Sequence, residues 1–238
     1  MVTASWLTRK LAERKRIGFC TLFFASFSLI SYNITICGES KEEMIIAIIG
    51  PSGCGKGTQA KLLSAKLGIP AISGGEVLRS EYEAGTPEGI EAEKYWGEGK
   101  WPPADLIMKI LKKRLDRSDC QNGFILDGAP REMNQIPLLE NYFAEKNQNL
   151  DLVLHLDTSD ETCLSRLTHR IFAAREKGEK IRADEDLEEV RERLRQYHQT
   201  IEPVLKYFEE KGILRHINNE QSVEKVFEEV TAAVEELS

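Results

Sequence analysis

A glycine-rich segment that directly follows a continuous apolar run limits the folds open to this chain. The run is MIIAII at 44–49, and GPSGCGKGT at 50–58 comes next. An uninterrupted apolar run of this length is typical of a parallel strand that is buried on both faces. The glycines allow backbone N–H groups to converge on a phosphate at the start of a helix, where Lys56 lies. The sequence therefore predicts a strand, a phosphate-binding loop and a helix, in that order.

Apolar runs alternate with charged amphipathic stretches along the rest of the chain. Short apolar runs predict further strands at 124–126, 152–156 and 213–217. Helices are predicted over 56–67, 106–115, 187–208 and 223–237, and Gly68 ends the first of them. Strands that alternate with helices favour the α/β class, with a parallel sheet that carries helices on both faces. Ligands of such sheets bind beyond the carboxyl ends of the strands.

Composition is that of a globular protein and argues against several kinds of function. Of 238 residues, 41% are hydrophobic and 30% are charged, which excludes a disordered or collagenous chain. The net charge of −7 argues against a nucleic-acid partner. The five cysteines include no CxxC pair, so neither a zinc ribbon nor a disulfide framework is predicted, and a reducing compartment is favoured. The four histidines form no ligand cluster in the sequence and are interpreted as structural.

Residues 1–43 differ in character from the rest of the chain, and three interpretations of them stay open. Basic residues between 9 and 16 precede an uncharged stretch, 17–37, in which 14 of 21 residues are apolar or aromatic. The stretch is long enough to cross a bilayer, but polar residues dilute it and no A-x-A cleavage site comes after it. The segment is an extension before a true start at Met44, a cleaved targeting peptide, or a membrane anchor. The anchor is favoured least, because the positive-inside rule would place the body outside the cytoplasm.

Five ordered motifs in 44–238 resemble those of the adenylate kinase family of nucleoside monophosphate kinases. They are GPSGCGKGT at 50–58, ISGGEVLR at 72–79, GFILDGAPR at 123–131 with Gln135, RLTHR at 166–170, and RADE at 182–185 with Arg193. The resemblance implies one kinase domain over 44–238, built on a P-loop NTPase-type parallel sheet flanked by helices. It further implies a helical acceptor-binding insert at about 73–102 and a short lid at about 170–182.

The resemblance implies the reaction of ATP with AMP to give two ADP, with Mg²⁺. Two such nucleotides bring about six negative charges together, and the protein must supply positioning and positive charge. The catalytic residues implied are Lys56, Asp127, Arg131, Arg170, Arg182 and Arg193. Asp127 would orient the hydration shell of Mg²⁺ near Thr58, with no metal bound directly by the protein. The eleven residues between Arg170 and Arg182 in the predicted lid include no cysteine, so no zinc ion is expected there.

The same motifs imply which residues contact each nucleotide. For ATP they are Gly53, Cys54, Gly55, Lys56, Gly57, Thr58, Arg170 and Gln221. For AMP they are Gly74, Arg79, Lys100, Trp101, Pro102, Gly128, Ala129, Pro130, Arg131, Gln135, Arg182 and Arg193. Asp184 and Glu185 would hold the lid arginines in the closed state.

The chain departs from the family pattern on the side of the acceptor base. Gly74 and Glu76 stand where the family usually has threonine and aspartate, and Ala129 replaces a phenylalanine. GKWPP at 99–103, which contains Trp101, replaces the usual G-x-L-V segment. These departures leave the choice of acceptor base open.

Gln135 favours AMP, because its amide can pair with the adenine edge. A kinase for UMP or CMP, and a nucleotide-binding sensor with weak turnover, are the alternatives. We expect a cytoplasmic monomer that binds ATP and AMP, with neither a nucleic-acid nor a membrane partner.

Cys54 lies inside the phosphate loop, and two interpretations of it stay open. A thiol that faces converging N–H groups and a helix N-terminus becomes more reactive. The other interpretation is a small and inert packing residue.

Overall fold

The structure, a computed structural model, describes residues 43–96, 100–178 and 187–237. These residues all lie in one compact unit of the chain, Lys41–Ser238. Predictions that fall outside the described residues are those for the N-terminal segment 1–42, Gly99, Arg182, Asp184 and Glu185.

Five parallel strands form a single sheet in the described part of the chain. They are β1 (Met44–Ile49), β2 (Ala71–Ser73), β3 (Gly123–Asp127), β4 (Leu152–Asp157) and β5 (Leu214–Asn218). Their order across the sheet is β2-β3-β1-β4-β5. The chain builds one side of the sheet from β1 and then returns to build the other. The carboxyl end of β1 is therefore the switch point at which an α/β sheet opens a ligand crevice.

Helices cover both faces of this sheet, which confirms the predicted fold class. They are α1 (Lys56–Leu67), α2 (Gly74–Glu83), α3 (Pro87–Trp96), α4 (Ala104–Leu115), α5 (Gln135–Glu145), α6 (Asp160–Glu176), α7 (Leu187–Glu210) and α8 (Val223–Glu235). Alternate residues of β1 point to opposite faces, as the pleat requires. Ile45, Ala47 and Ile49 pack under α4, α5 and the second half of α7. Ile46 and Ile48 pack under α1, α6 and α8.

Helices α2 and α3 lie within 73–102, where the sequence predicts a helical insert, and α4 follows it and packs against both. They share a small apolar cluster of their own, which includes Leu78, Ala92 and Ile110. Helices α2 and α3 approach so closely at Gly89 that a Cβ there would lie 2.3 Å from the backbone of Glu81. Helix α4 thus links α2 and α3 to the sheet, because Ile107 and Leu111 on its other face belong to the core under β1.

None of the helices in 43–96, 100–178 and 187–237 is both long and apolar enough to cross a membrane.

Candidate active site

The phosphate loop takes its shape from glycines that adopt conformations closed to other residues. Gly53 has φ +87°, and a Cβ on it would lie 2.6 Å from Leu167 Cδ1 on α6. Gly55, which precedes α1, has φ +105°, in the left-handed region. No described side chain caps this end of α1, so the positive end of the helix stays open to an anion.

A cavity of about 640 Å³ opens at this loop, beyond the carboxyl ends of β1 and β3. Its lining includes most of the side chains that the motifs predict for phosphate binding. The predicted residues that line it are Gly53, Cys54, Gly55, Lys56, Gly57, Thr58, Arg79, Trp101, Asp127, Arg131, Arg170, Arg193 and Gln221. The predicted residues Gly74, Lys100, Pro102, Gly128, Ala129, Pro130 and Gln135 do not line it.

The Lys56 ammonium is held against the loop that precedes it. Its Nζ donates hydrogen bonds to the carbonyl oxygens of Gly50 (2.9 Å) and Pro51 (2.8 Å). Only 9% of the residue is exposed. The positive charge is therefore fixed at the loop and shielded from bulk solvent, where it acts most strongly on a phosphate.

The Asp127 carboxylate lies across from the first turn of α1. A Cβ on Gly57 would come within 3.3 Å of its Oδ2. Burial raises the pKa of Asp127 above its ordinary value, and the positive charges of Lys56 and Arg131 and a hydrogen bond with Ser73 oppose this shift. The Asp127 carboxylate and the Lys56 ammonium thus both line the cavity beside the first turn of α1.

Arg131 is fixed by the short loop between β3 and α5. Its Nε donates to the Gly128 carbonyl oxygen (2.6 Å), and its backbone N–H donates to Gln135 Oε1 (2.8 Å). Burial lowers the pKa of its guanidinium to about 10; Asp127 opposes the shift and Arg193 adds to it. The group stays charged at neutral pH and is aimed into the cavity before any substrate arrives.

Residues 48–213 match the family model described as adenylate kinase. The chain belongs to the adenylate kinase family. The adenylate kinase of Archaeoglobus fulgidus is 37% identical over 215 residues, which cover 82% of this chain and 99% of that protein. That of Thermodesulfovibrio yellowstonii is 37% identical over 213 residues, with 81% and 99% covered. That of Pseudarthrobacter chlorophenolicus is 39% identical over 187 residues, with 79% and 94% covered.

The cavity of this adenylate kinase fold also holds a contact that the motifs did not predict. The indole ring of Trp101 stacks on Arg131, with the guanidinium carbon 3.7 Å from the ring centroid. Stacking covers a face of the guanidinium and leaves its N–H edge for a phosphate. Arg79 on α2 lines the same cavity as this stacked pair.

The thiol of Cys54 is buried at the base of the phosphate loop, where its Sγ accepts a hydrogen bond from Lys56 Nζ (3.7 Å). The residue is fully buried and belongs to the core cluster under the loop, together with Leu156 and Cys163. This placement favours the packing interpretation over the reactive one. Because the side chain is buried, the predicted contact of Cys54 with ATP would be made by backbone atoms of this residue.

Two of the four histidines are paired, which sequence reasoning missed. His155 Nδ1 lies 3.1 Å from His216 Nδ1, and His155 Nε2 lies 2.9 Å from the Tyr197 hydroxyl oxygen. The pair forms because His155 of β4 stands opposite His216 of β5 in the sheet register. Among the described residues, no group of three His, Cys, Asp or Glu side chains could hold a metal ion.

The histidine pair should make the fold sensitive to mild acid. Burial and the neighbouring His216 lower the pKa of His155 from 6.5 to about 4. His155 therefore binds a proton more readily in the unfolded chain than in the folded protein. The stabilisation of the fold by neutral His155 is complete above about pH 6.5 and is lost as the pH falls towards 4. We expect protonation of His155 to lower the free energy of unfolding of the wild-type protein by about 2 kcal/mol between pH 7 and pH 5, as measured by urea unfolding.

The His155→Gln variant, which stays neutral, should lose less stability over the same interval. His169→Gln, at an exposed position, is the control and should behave as wild type. Equal losses in wild type and His155→Gln would show that the acid sensitivity arises elsewhere.

Proposed function

We propose that this protein transfers the terminal phosphoryl group of ATP to AMP and forms two molecules of ADP. One observation carries the proposal: a single cavity at the switch point of the sheet gathers the phosphate loop, Lys56, Asp127 and the four described arginines that the motifs predict to contact nucleotide. Membership of the adenylate kinase family, and relatives named adenylate kinase, support it.

The four arginines reach the cavity from four different elements of the fold. Arg79 comes from α2, Arg131 from the loop after β3, Arg170 from α6 and Arg193 from α7. Phosphoryl transfer needs the two nucleotides held in line and their negative charge neutralised. The phosphate loop and Lys56 would hold ATP, and Arg79 with Arg131 would hold the acceptor phosphate. Arg170, Arg193 and the predicted lid residue Arg182 would cover the group in transfer.

The residues at the loop fit a magnesium ion that arrives with ATP. Asp127 offers a carboxylate beside the first turn of α1, and Thr58 offers an exposed hydroxyl there. Such oxygen donors suit Mg²⁺ and its retained waters. When bound, Mg²⁺ neutralises phosphate charge; the task of this chain is to orient the ion's hydration shell.

AMP is the acceptor that we propose, on the basis of the relatives named adenylate kinase and of Gln135, which lies next to Arg131 although it does not itself line the cavity. The residue is 3% exposed, and its Oε1 already accepts the Arg131 backbone N–H. That bond fixes the amide next to the arginine that would bind the acceptor phosphate. A fixed amide can read the adenine edge, which presents a donor beside an acceptor.

A direct product analysis tests the reaction and its acceptor. Purified full-length protein is incubated with ATP–Mg²⁺ and AMP, UMP, CMP or GMP, and the nucleotides are separated by ion-exchange chromatography. We expect the highest rate with AMP. The Lys56→Met variant from a parallel preparation measures contaminating host kinases. Faster turnover of UMP or CMP would overturn the acceptor; ATP binding without turnover above that background would favour a sensor module.

The kinase domain that we propose begins at Met44, so a chain that starts there should fold and keep full activity. All five motifs lie after this residue, and β1, at the centre of the sheet, begins with it. We expect kcat and the melting temperature within experimental error of those of the full chain. Aggregation or loss of activity would show that 1–43 is part of the domain.

We also propose that the protein is a monomer and acts in the cytoplasm. The three described cysteines are all free thiols, which suits a reducing compartment, and ATP and AMP are both present in the cytoplasm. Light scattering during gel filtration checks the monomer. Cell fractionation checks the compartment.

A further inference from the structure

We propose that Asn219 is a positioning residue for the phosphate loop. Its side chain fixes the peptide group between Cys54 and Gly55, so that the Gly55 N–H faces the concave side of the loop and binds phosphate. This proposal rests on the proposed binding of ATP in the loop. None of the five motifs includes Asn219, which follows β5 and is 3% exposed.

The amide nitrogen of Asn219 makes two short hydrogen bonds. Its Nδ2 donates to the carbonyl oxygen of Cys54 (2.6 Å) and to the hydroxyl oxygen of Thr158 (2.7 Å). The Thr158 hydroxyl in turn donates to the Leu156 carbonyl oxygen (3.2 Å), so it can only accept from Asn219. Both N–H bonds of the amide are thereby used.

This network fixes the orientation of the amide. If the amide were flipped, its oxygen would face the Cys54 carbonyl oxygen, and two acceptors would meet at hydrogen-bond distance. The backbone N–H of Asn219 also donates to the Asp157 carbonyl oxygen (3.0 Å), which ties the residue to the end of β4. Asn219 is therefore held rigidly by the sheet and presents a donor to the loop.

A second donor reaches the same carbonyl oxygen from another element. Arg166 Nη1 on α6 donates to Cys54 O (2.6 Å), and its Nη2 donates to Asn219 O (2.8 Å). A carbonyl oxygen has two lone pairs, and here each has a side-chain donor. The three residues form a closed triangle around one peptide group of the loop.

Fixing the carbonyl fixes the N–H on the other edge of the same peptide. The peptide is planar and trans, so the Gly55 N–H points away from the Cys54 carbonyl. Gly55 has φ +105° and no side chain, so its own conformation restrains this peptide weakly. Bonds from outside the loop supply the restraint, and a donor set in advance costs no reorganisation when phosphate binds.

The test compares two substitutions at Asn219 with a neighbouring control. Asn219→Ala removes the donor, and Asn219→Asp keeps the size but replaces the donor with an acceptor. Asn218→Ala is the control, because Asn218 is exposed and its side chain accepts a hydrogen bond from the Glu220 N–H, outside the phosphate loop. Titration calorimetry measures Kd for ATP and for AMP separately, and the ¹⁵N–¹H spectrum follows the Gly55 amide.

We expect Asn219→Ala to raise Kd for ATP about tenfold, the worth of one hydrogen bond of about 1.4 kcal/mol. Asn219→Asp should raise it more, because the new carboxylate repels the Cys54 carbonyl and attracts Arg166 away from it. Both variants should shift the Gly55 amide resonance and leave Kd for AMP within twofold. Asn218→Ala should change none of these.

An unchanged Kd for ATP in both variants would overturn the proposal, even if their melting temperatures fell. An equal rise in Kd for ATP and AMP would overturn it as well, since a general loss of structure would then explain both. If wild-type protein binds ATP but forms no ADP, the proposed reaction fails, while the Kd ratios still decide the role of Asn219. If wild-type protein does not bind ATP, both proposals fail.

Discussion

Replacement of Arg131 by alanine is expected to lower kcat by about 10³-fold or more and to leave the protein folded. Arg131 would hold the acceptor phosphate that attacks the phosphoryl group, and an arginine that stabilises the charge of such a transfer is worth about 10³–10⁵ in rate. The guanidinium is oriented by the Gly128 carbonyl and by the ring of Trp101, so its position is set before substrate binds. Its removal takes away charge as well as this orientation. Initial rates at saturating ATP and AMP measure the effect.

Arg131→Lys separates charge from geometry. A lysine keeps the positive charge but has neither the planar fork nor the flat face that stacks on Trp101. We expect a loss of rate almost as large as that of the alanine variant, with a raised KM for AMP and an unchanged Kd for ATP. Arg195→Ala, an exposed arginine paired with Glu192 on α7, is the control for loss of a positive charge. An Arg131→Ala variant within about threefold of wild type would refute the assigned role.

Local sequence patterns predicted the bounds of the first strand and the first helix of the domain, and of the loop between them. Strand Met44–Ile49 and helix Lys56–Leu67 have the predicted bounds, because an apolar run, a glycine loop and Gly68 mark each boundary locally. Strand β2 was missed as a strand, since Ala71–Ser73 has only three residues and no run for a pattern to detect. The first strand and helix were thus encoded locally, whereas helices α5 and α6 were not among those predicted. The short strand β2 depends on its neighbour β3.

Contacts between distant segments were beyond sequence reasoning. Asn219 and Cys54 are 165 residues apart, and no periodicity links them. The histidine pair depends on the register of β4 against β5, which follows from packing of the whole sheet. The direction of the Cys54 thiol also had no local signal, because a cysteine in such a loop can face the ligand or the core. Family motifs indicated which residues matter, and only the fold showed what each side chain touches.

Replacement of Lys56 by methionine should lower kcat by about 10²–10³-fold and abolish most of the stabilisation by ATP. Methionine keeps the length and apolar stem of lysine but lacks the ammonium, so the variant isolates the charge. Losing one preorganised electrostatic contact to a transition state commonly costs this much. ATP that binds only the folded state raises the melting temperature in proportion to the logarithm of its concentration over Kd. Melting curves with and without ATP–Mg²⁺ therefore report binding independently of turnover.

The melting curve without nucleotide decides whether Lys56 is catalytic or only structural. Its Nζ donates to the Gly50 and Pro51 carbonyl oxygens and to Cys54 Sγ, so the substitution also removes three hydrogen bonds from the loop. Burying the charge costs free energy that offsets these bonds, so the nucleotide-free protein should melt close to wild type. Lys66→Met, at the far end of α1 where Lys66 pairs with Glu235, is the matched control and should keep both rate and ATP response. Full stabilisation by ATP in Lys56→Met, together with a kcat near that of wild type, would place the phosphate contact on the backbone of the loop alone.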